Sequence, residues 1–113
     1  SFARRIVKYR MMLGGYFKPE QLMEVYGMDS LLYSRISDHL VFDKDHLKKI
    51  NINTATIKEL IKHPYIEFYL AKSIVTFREE SGQIKNLEEI RNVKLMYDEL
   101  YNKIIPYLSL SKE

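Results

Sequence analysis

Between Ile50 and Leu87 two apolar stripes of helical spacing are separated by only a few residues, and Pro64 stands in the gap. Ile57, Leu60 and Ile61 form the first stripe; Leu70, Ala71, Ile74 and Val75 start the second. A proline pushes the residue before it out of the helical region, so the first helix must stop there. Thr54 offers a hydroxyl to the free amides of the first turn, and Gly82 a left-handed C-terminal cap to the second helix. The spacing predicts helices at about 54–62 and 67–81. Joined by so short a bend they must lie antiparallel, with Ile66 pointing between them.

The chain then repeats itself at a spacing of 68 without a gap. Ala3, Ile6, Val7, Tyr9, Arg10 and Gly14 lie over Ala71, Ile74, Val75, Phe77, Arg78 and Gly82. Glu20, Leu22, Val25 and Met28 lie over Glu88, Ile90, Val93 and Met96; Leu32, Tyr33, Ile36 and Leu40 lie over Leu100, Tyr101, Ile104 and Leu108. About a dozen identities fall at apolar or turn positions, which is what two copies of one packing arrangement keep. The first repeat, 1–42, is incomplete: the counterpart of Ile50–Leu70 would precede Ser1. It is expected to hold helices at about 2–13, 19–25 and 30–40, with Pro19 opening the second of these. The second repeat, 43–113, is complete and adds helices at about 87–92 and 97–105. Val41 to Lys49 forms the joint, with Phe42 buried, Asp43 capping a short turn and Lys48 and Lys49 in water. Pro106 and a Ser/Lys/Glu tail end the chain.

No alternating strand pattern occurs, so the fold expected is all-α: tandem helix-bend-helix repeats in a small helical architecture. With 113 residues there is room for one compact domain or two very small ones. The absence of cysteine excludes disulfides and thiolate metal sites. No apolar run approaches the roughly 18–20 residues needed to span a bilayer, so no membrane segment is expected in this chain. A net charge of +3 is too mild to argue for a nucleic-acid partner by itself. Its distribution says more, since Arg4, Arg5, Lys8, Arg10 and Lys18 all precede the first acid, Glu20.

At I-N-I-N-T-A-T-I-K-E-L, the bend, and A-K-S-I-V-T-F-R-E-E-S-G, the chain resembles the helix-hairpin-helix module of ComEA-type DNA-uptake proteins. The resemblance covers roughly Ile50–Leu108. It implies a non-enzymatic protein that binds the DNA backbone without reading sequence, with neither cofactor nor small-molecule substrate. It would place the protein at the envelope or outside the cytoplasm; otherwise the chain is cytoplasmic. It also implies that the bends meet phosphate: Tyr26, Gly27 and Met28 in the first, His63, Pro64, Tyr65 and Ile66 in the second, and Lys94 in the third. In the resembled family the bend reads close to L-P-G-I-G, whose glycines let backbone amides approach an anion. Here the bends read V-Y-G-M-D, H-P-Y-I-E and V-K-L-M-Y. The apolar centre is kept, but Asp29, Glu67 and Tyr97 replace the final glycine, and a carboxylate there takes the place of phosphate.

Arg4, Arg5 and Lys8 on the first helix, Lys62 before the second bend and Lys72 at the Arg4 position are the charges that could meet a nucleic-acid backbone. Arg10 and Arg78 sit at the edge of the buried face, where tying down a carboxylate or carbonyls is the simpler role. Most of the tyrosines and phenylalanines fall at helical spacing beside Leu and Ile and read as packing. Tyr65, in a bend, is expected to be exposed. Asp38, His39, Asp43, Asp45 and His46 match no zinc or calcium spacing. No nucleophile-and-base constellation or nucleotide loop occurs, so no enzyme is expected. Two readings follow: a weak, sequence-independent DNA-binding module, or a scaffold for a protein partner whose capping carboxylates now repel phosphate.

Overall fold

The computed structural model describes residues 1–40 and 42–111; Val41, at the head of the joint, and the Lys112–Glu113 end of the tail lie outside the described residues. The chain divides into two compact units, Ser1–Lys48 and Lys49–Glu113.

In the first unit, helix α1 (Phe2–Leu13) starts at Ser1, whose hydroxyl oxygen accepts from the Arg4 amide. It stops at Gly14 in the left-handed conformation, whose N–H returns to the Arg10 carbonyl. A 3-10 turn at Pro19–Glu24 follows, and helix α2 (Ser30–Ile36) ends in a second such turn, Ser37–His39. Leu13, Tyr16, Leu22 and Val25 are buried, and so is Gln21, whose side-chain oxygen accepts from the amides of Phe17 and Lys18. Residues 43–48 return to this unit. Asp43 caps Asp45 and is bonded to His46, and the Lys48 N–H donates to the Gly14 carbonyl.

The second unit closes on itself. Strand β1 (Ile50–Asn51) pairs in parallel with β2 (Leu108–Ser109), Ile50 opposite Leu108. Asn53 then clamps the two ends: its amide donates to the carbonyls of Ile84 and Leu110, and its oxygen accepts from the Ile84 amide. This is why the I-N-x-N opening is spelt as it is. Helix α3 (Ile57–Leu60) packs on α4 (Phe68–Ser81), and a 3-10 turn at Leu87–Asn92 leads to α5 (Asp98–Ile104). Ile52, Leu60, Ile66, Leu70, Ala71, Ile74, Ile90 and Ile104 are all buried in one cluster. Burying each of the larger of these contributes about 1.5–3 kcal/mol.

The repeat is real in three dimensions. Glu89 accepts from the amides of Lys85 and Asn86, as Gln21 does 68 positions earlier. The all-α expectation holds, with three differences of detail. The cap of the first helix in the second unit is Thr56, not Thr54: Thr56 and Glu59 form a reciprocal capping box, while Thr54 lies in a turn set by the Asn51 carbonyl. The helix therefore covers only 57–60, and Ile61 is partly exposed. Gly82 has positive φ but extended ψ, so the chain leaves α4 without a left-handed cap. The segments at 19–24 and 87–92 are 3-10 turns, the tighter geometry suited to short pieces. Among the described residues no helix is long and apolar enough to cross a membrane.

Candidate nucleic-acid interface

Each bend is a tight turn closed by a backbone hydrogen bond: Met28 to Val25, Ile66 to His63 and Met96 to Val93. The first and third need positive φ at their third residue. Gly27 supplies it at 85°, whereas Leu95 is forced to 73°. That conformation costs a side-chain-bearing residue roughly 1–2 kcal/mol. The second bend, with Pro64, avoids positive φ.

The amides beyond the bends differ in what occupies them. Asp29 caps α2 through the Leu32 amide at 2.8 Å. Glu67 caps α4 twice, at Tyr69 (3.0 Å) and Leu70 (2.6 Å). Tyr97 makes no side-chain cap. Two of the three bends thus carry their own anion, folded back over the nitrogens an external phosphate would need.

Side-chain charge is arranged more favourably. In the second unit Lys72 of α4 and Lys94 and Leu95 of the third bend line one open groove with Tyr69 and Phe77, and Glu80 is the one acid in its lining among the described residues. The corresponding surface of the first unit, read through the repeat, is Arg4, Lys8, Tyr26 and Gly27 with Arg5 beside them. Here the Arg5 guanidinium donates to the Tyr26 carbonyl at 3.2 Å and lies 5.4 Å from the rings of Phe2 and Tyr26. Gly27 is set by the positive φ of the turn, and the mobile end of the Arg5 side chain lies 2.8 Å from where a Cβ there would stand. Among the described residues Arg4, Arg5 and Lys8 form no ion pair, and all three are exposed.

The remaining sequence candidates divide. Met28 is half-buried and exposed Lys62 stands ahead of the second bend. His63 is buried, its Nδ1 accepting from the Tyr65 amide and its ring 4.6 Å from that of Tyr107. Ile66 is buried with its amide committed to the turn, and Pro64 is half-buried. Tyr65 is not exposed as expected: it packs against His63 and Tyr107, with the Lys103 ammonium 4.4 Å from its ring. The second bend therefore faces inward with most of its side chains. Arg78 takes the structural role, donating to the Ile52 carbonyl. Arg91 is committed too, held above its ordinary pKa first by its hydrogen bond to Glu88; it also bonds Asp98 and lies over the Tyr101 ring.

Beyond the sequence candidates, Phe68, Tyr69, Leu95 and Tyr97 are exposed, all at or just after a bend, and so is the candidate Tyr26. The signal was available. The repeat register sets Leu95 over Gly27 and Tyr97 over Asp29, marking both as departures from what the turn wants.

With paired antiparallel helices, tight bends and a duplicated layout in place, the class is defined: the helix-hairpin-helix motif model matches residues 1–41 and 45–109, and the chain belongs to that family. The similar proteins include "Endonuclease/exonuclease/phosphatase family domain-containing protein 1" of Danio rerio, 32% identical over 120 residues, covering 90% of this chain and 22% of that protein. The Homo sapiens protein of the same name is 28% identical over 119 residues, covering 80% and 21%. The chain thus spans about a fifth of the length of the curated relatives it matches.

Proposed function

We propose that this chain is a non-catalytic nucleic-acid-binding module that holds the DNA backbone weakly and without sequence preference. The observation carrying this reading is the repeated placement of exposed cations beside a bend: Arg5 against Tyr26–Gly27, with Arg4 and Lys8 on the same helix, and Lys72 with Lys94 beside Leu95. Side-chain charge does the binding; the capped amides at Asp29 and Glu67 contribute little. In a longer protein of the kind its relatives represent, such a module would present nucleic acid to a separate catalytic domain. DNA uptake of the ComEA type remains the more specific form of the same reading.

The test is anisotropy of a labelled duplex at two salt concentrations. If Arg4, Arg5, Lys8, Lys72 and Lys94 each neutralise a phosphate, the slope of log K against log salt is about −4.5, at about 0.9 per phosphate. A fourfold rise in salt then weakens binding by on the order of 500-fold. No binding in the micromolar range at low salt would end the proposal. A second reading, a scaffold for a protein partner, is favoured by the Glu67 carboxylate folded over the Tyr69 and Leu70 amides. It requires that reversing Lys72 and Lys94 leave partner binding intact while DNA binding is absent throughout.

A further inference from the structure

The two units keep the same apolar residues but do not bury them equally. Ala71, Ile74, Ile104 and Leu108 are at most 2% exposed. Their identical counterparts in the first unit are open: Ala3 is exposed, Ile6 and Ile36 are only half-buried, and Leu40 is 42% exposed. The cause is visible in the second unit, where Ile52, Ala55, Leu60 and Ile66 complete the same cluster and Ile50 pairs with Leu108. The first unit holds no counterpart of that segment within Ser1–Lys48.

A polar group tells the same story independently. Arg78 donates to the Ile52 carbonyl at 3.0 Å, which belongs to the covering segment. Arg10, identical in the repeat, has an exposed side chain. An arginine kept at the edge of a half-open apolar face is suited to a backbone carbonyl arriving with whatever covers it.

We propose that this face of the first unit, Ala3, Ile6, Arg10, Ile36 and Leu40, is a docking surface for a helix-hairpin segment of the Ile50–Phe68 kind. The occupant brings a short extended strand beside Leu40, a carbonyl to Arg10 and two aliphatic side chains equivalent to Leu60 and Ile66 into the open cluster. The second unit shows this geometry complete, so the occupant's chemistry is specified: a capped, leucine-bearing helix and a bend with an isoleucine at its centre.

The experiment adds a second copy of residues 49–68 directly ahead of Ser1 in the full chain, a junction set by the repeat, in which Ser1 lies over Tyr69. Hydrogen exchange is read over residues 2–13 and 30–39. Protection there should rise on the order of 100-fold or more as these side chains leave water, with the second unit unchanged. Leu60→Asp with Ile66→Asp in the added copy should abolish the gain, and R10A should lose part of it. No gain in an added-copy chain that folds overturns the proposal. Should that chain not fold, a peptide of residues 49–68 titrated into the parent chain decides: methyl shifts at Ile6, Ile36 and Leu40 support it, and their absence refutes it. Concentration-dependent protection of the parent chain, with sedimentation as a dimer, would assign the face to a second copy and refute it equally.

Discussion

Replacing Glu67 with glycine should lower stability and raise DNA affinity together, and the opposite signs make the prediction sharp. The Glu67 carboxylate accepts from the Tyr69 and Leu70 amides at the start of α4. Glycine is itself a tolerable N-cap, so losing the cap costs a few tenths of a kcal/mol, and losing a charge at the helix N-terminus adds about 0.3–1 kcal/mol. A net loss of about 1 kcal/mol lowers the melting temperature of a unit this size by roughly 4–8 °C. For binding, a negative charge about 5 Å from a phosphate, well exposed to water, opposes it by about 1 kcal/mol. Freeing two amides to donate to the phosphate contributes about as much again. Affinity should therefore rise roughly 5- to 30-fold. Thermal melts followed by circular dichroism and duplex anisotropy at low salt measure the two effects on one preparation. Glu67→Gln, which keeps an acceptor but removes the charge, should show only the smaller, roughly fivefold gain. A folded E67G protein whose affinity is unchanged or weaker would refute the reading that the Glu67 carboxylate keeps phosphate from the first amides of α4.

Lys72→Ala or Lys94→Ala should each weaken duplex binding equally across sequences and reduce the salt slope by about 1; an unchanged slope removes that lysine from the interface. Gly14→Ala should destabilise the first unit by about 2 kcal/mol or more. Position 14 has φ 91°, and a Cβ there would lie 2.7 Å from the Lys48 carbonyl oxygen, so a melt unchanged from wild type contradicts the turn. Asn53→Ala should cost about 2–4 kcal/mol by stranding the backbone groups of Ile84 and Leu110, read as loss of hydrogen-exchange protection at the β1–β2 closure. Glu59 is held below its ordinary value of 4.5, first by the Thr56 amide and then by the Thr56 hydroxyl. Its contribution to stability is complete above that value and lost as pH falls through the lower folded pKa; acid titration of T56A should show a weaker loss than wild type.

The helices were legible because their signals are local. Apolar spacing at 70–75, Pro64 and the 68-residue repeat each constrain nearby backbone or copy a known packing pattern, and the second unit follows them closely. Cap choice was less legible: Thr54 and Thr56 are equally good caps in isolation. Only Glu59, able to reach back to the Thr56 amide, together with the turn at Asn51, selects between them. The candidate site was legible in part. Arg4 and Lys8 share a helix face by spacing alone, but nothing local says that His63 and Tyr65 stack inward with Tyr107, a residue far along the chain.

The sequence by itself determined where the chain turns and which faces are apolar, since periodicity, prolines and duplicated positions act through neighbouring residues. Only the tertiary structure decided which of those faces are filled and which anions the bends already hold. Burial of Ile74 but not Ile6, and the fold-back of Glu67 onto α4, depend on what arrives from elsewhere in space. Identical residues meet different surroundings there, and free energy follows the surroundings.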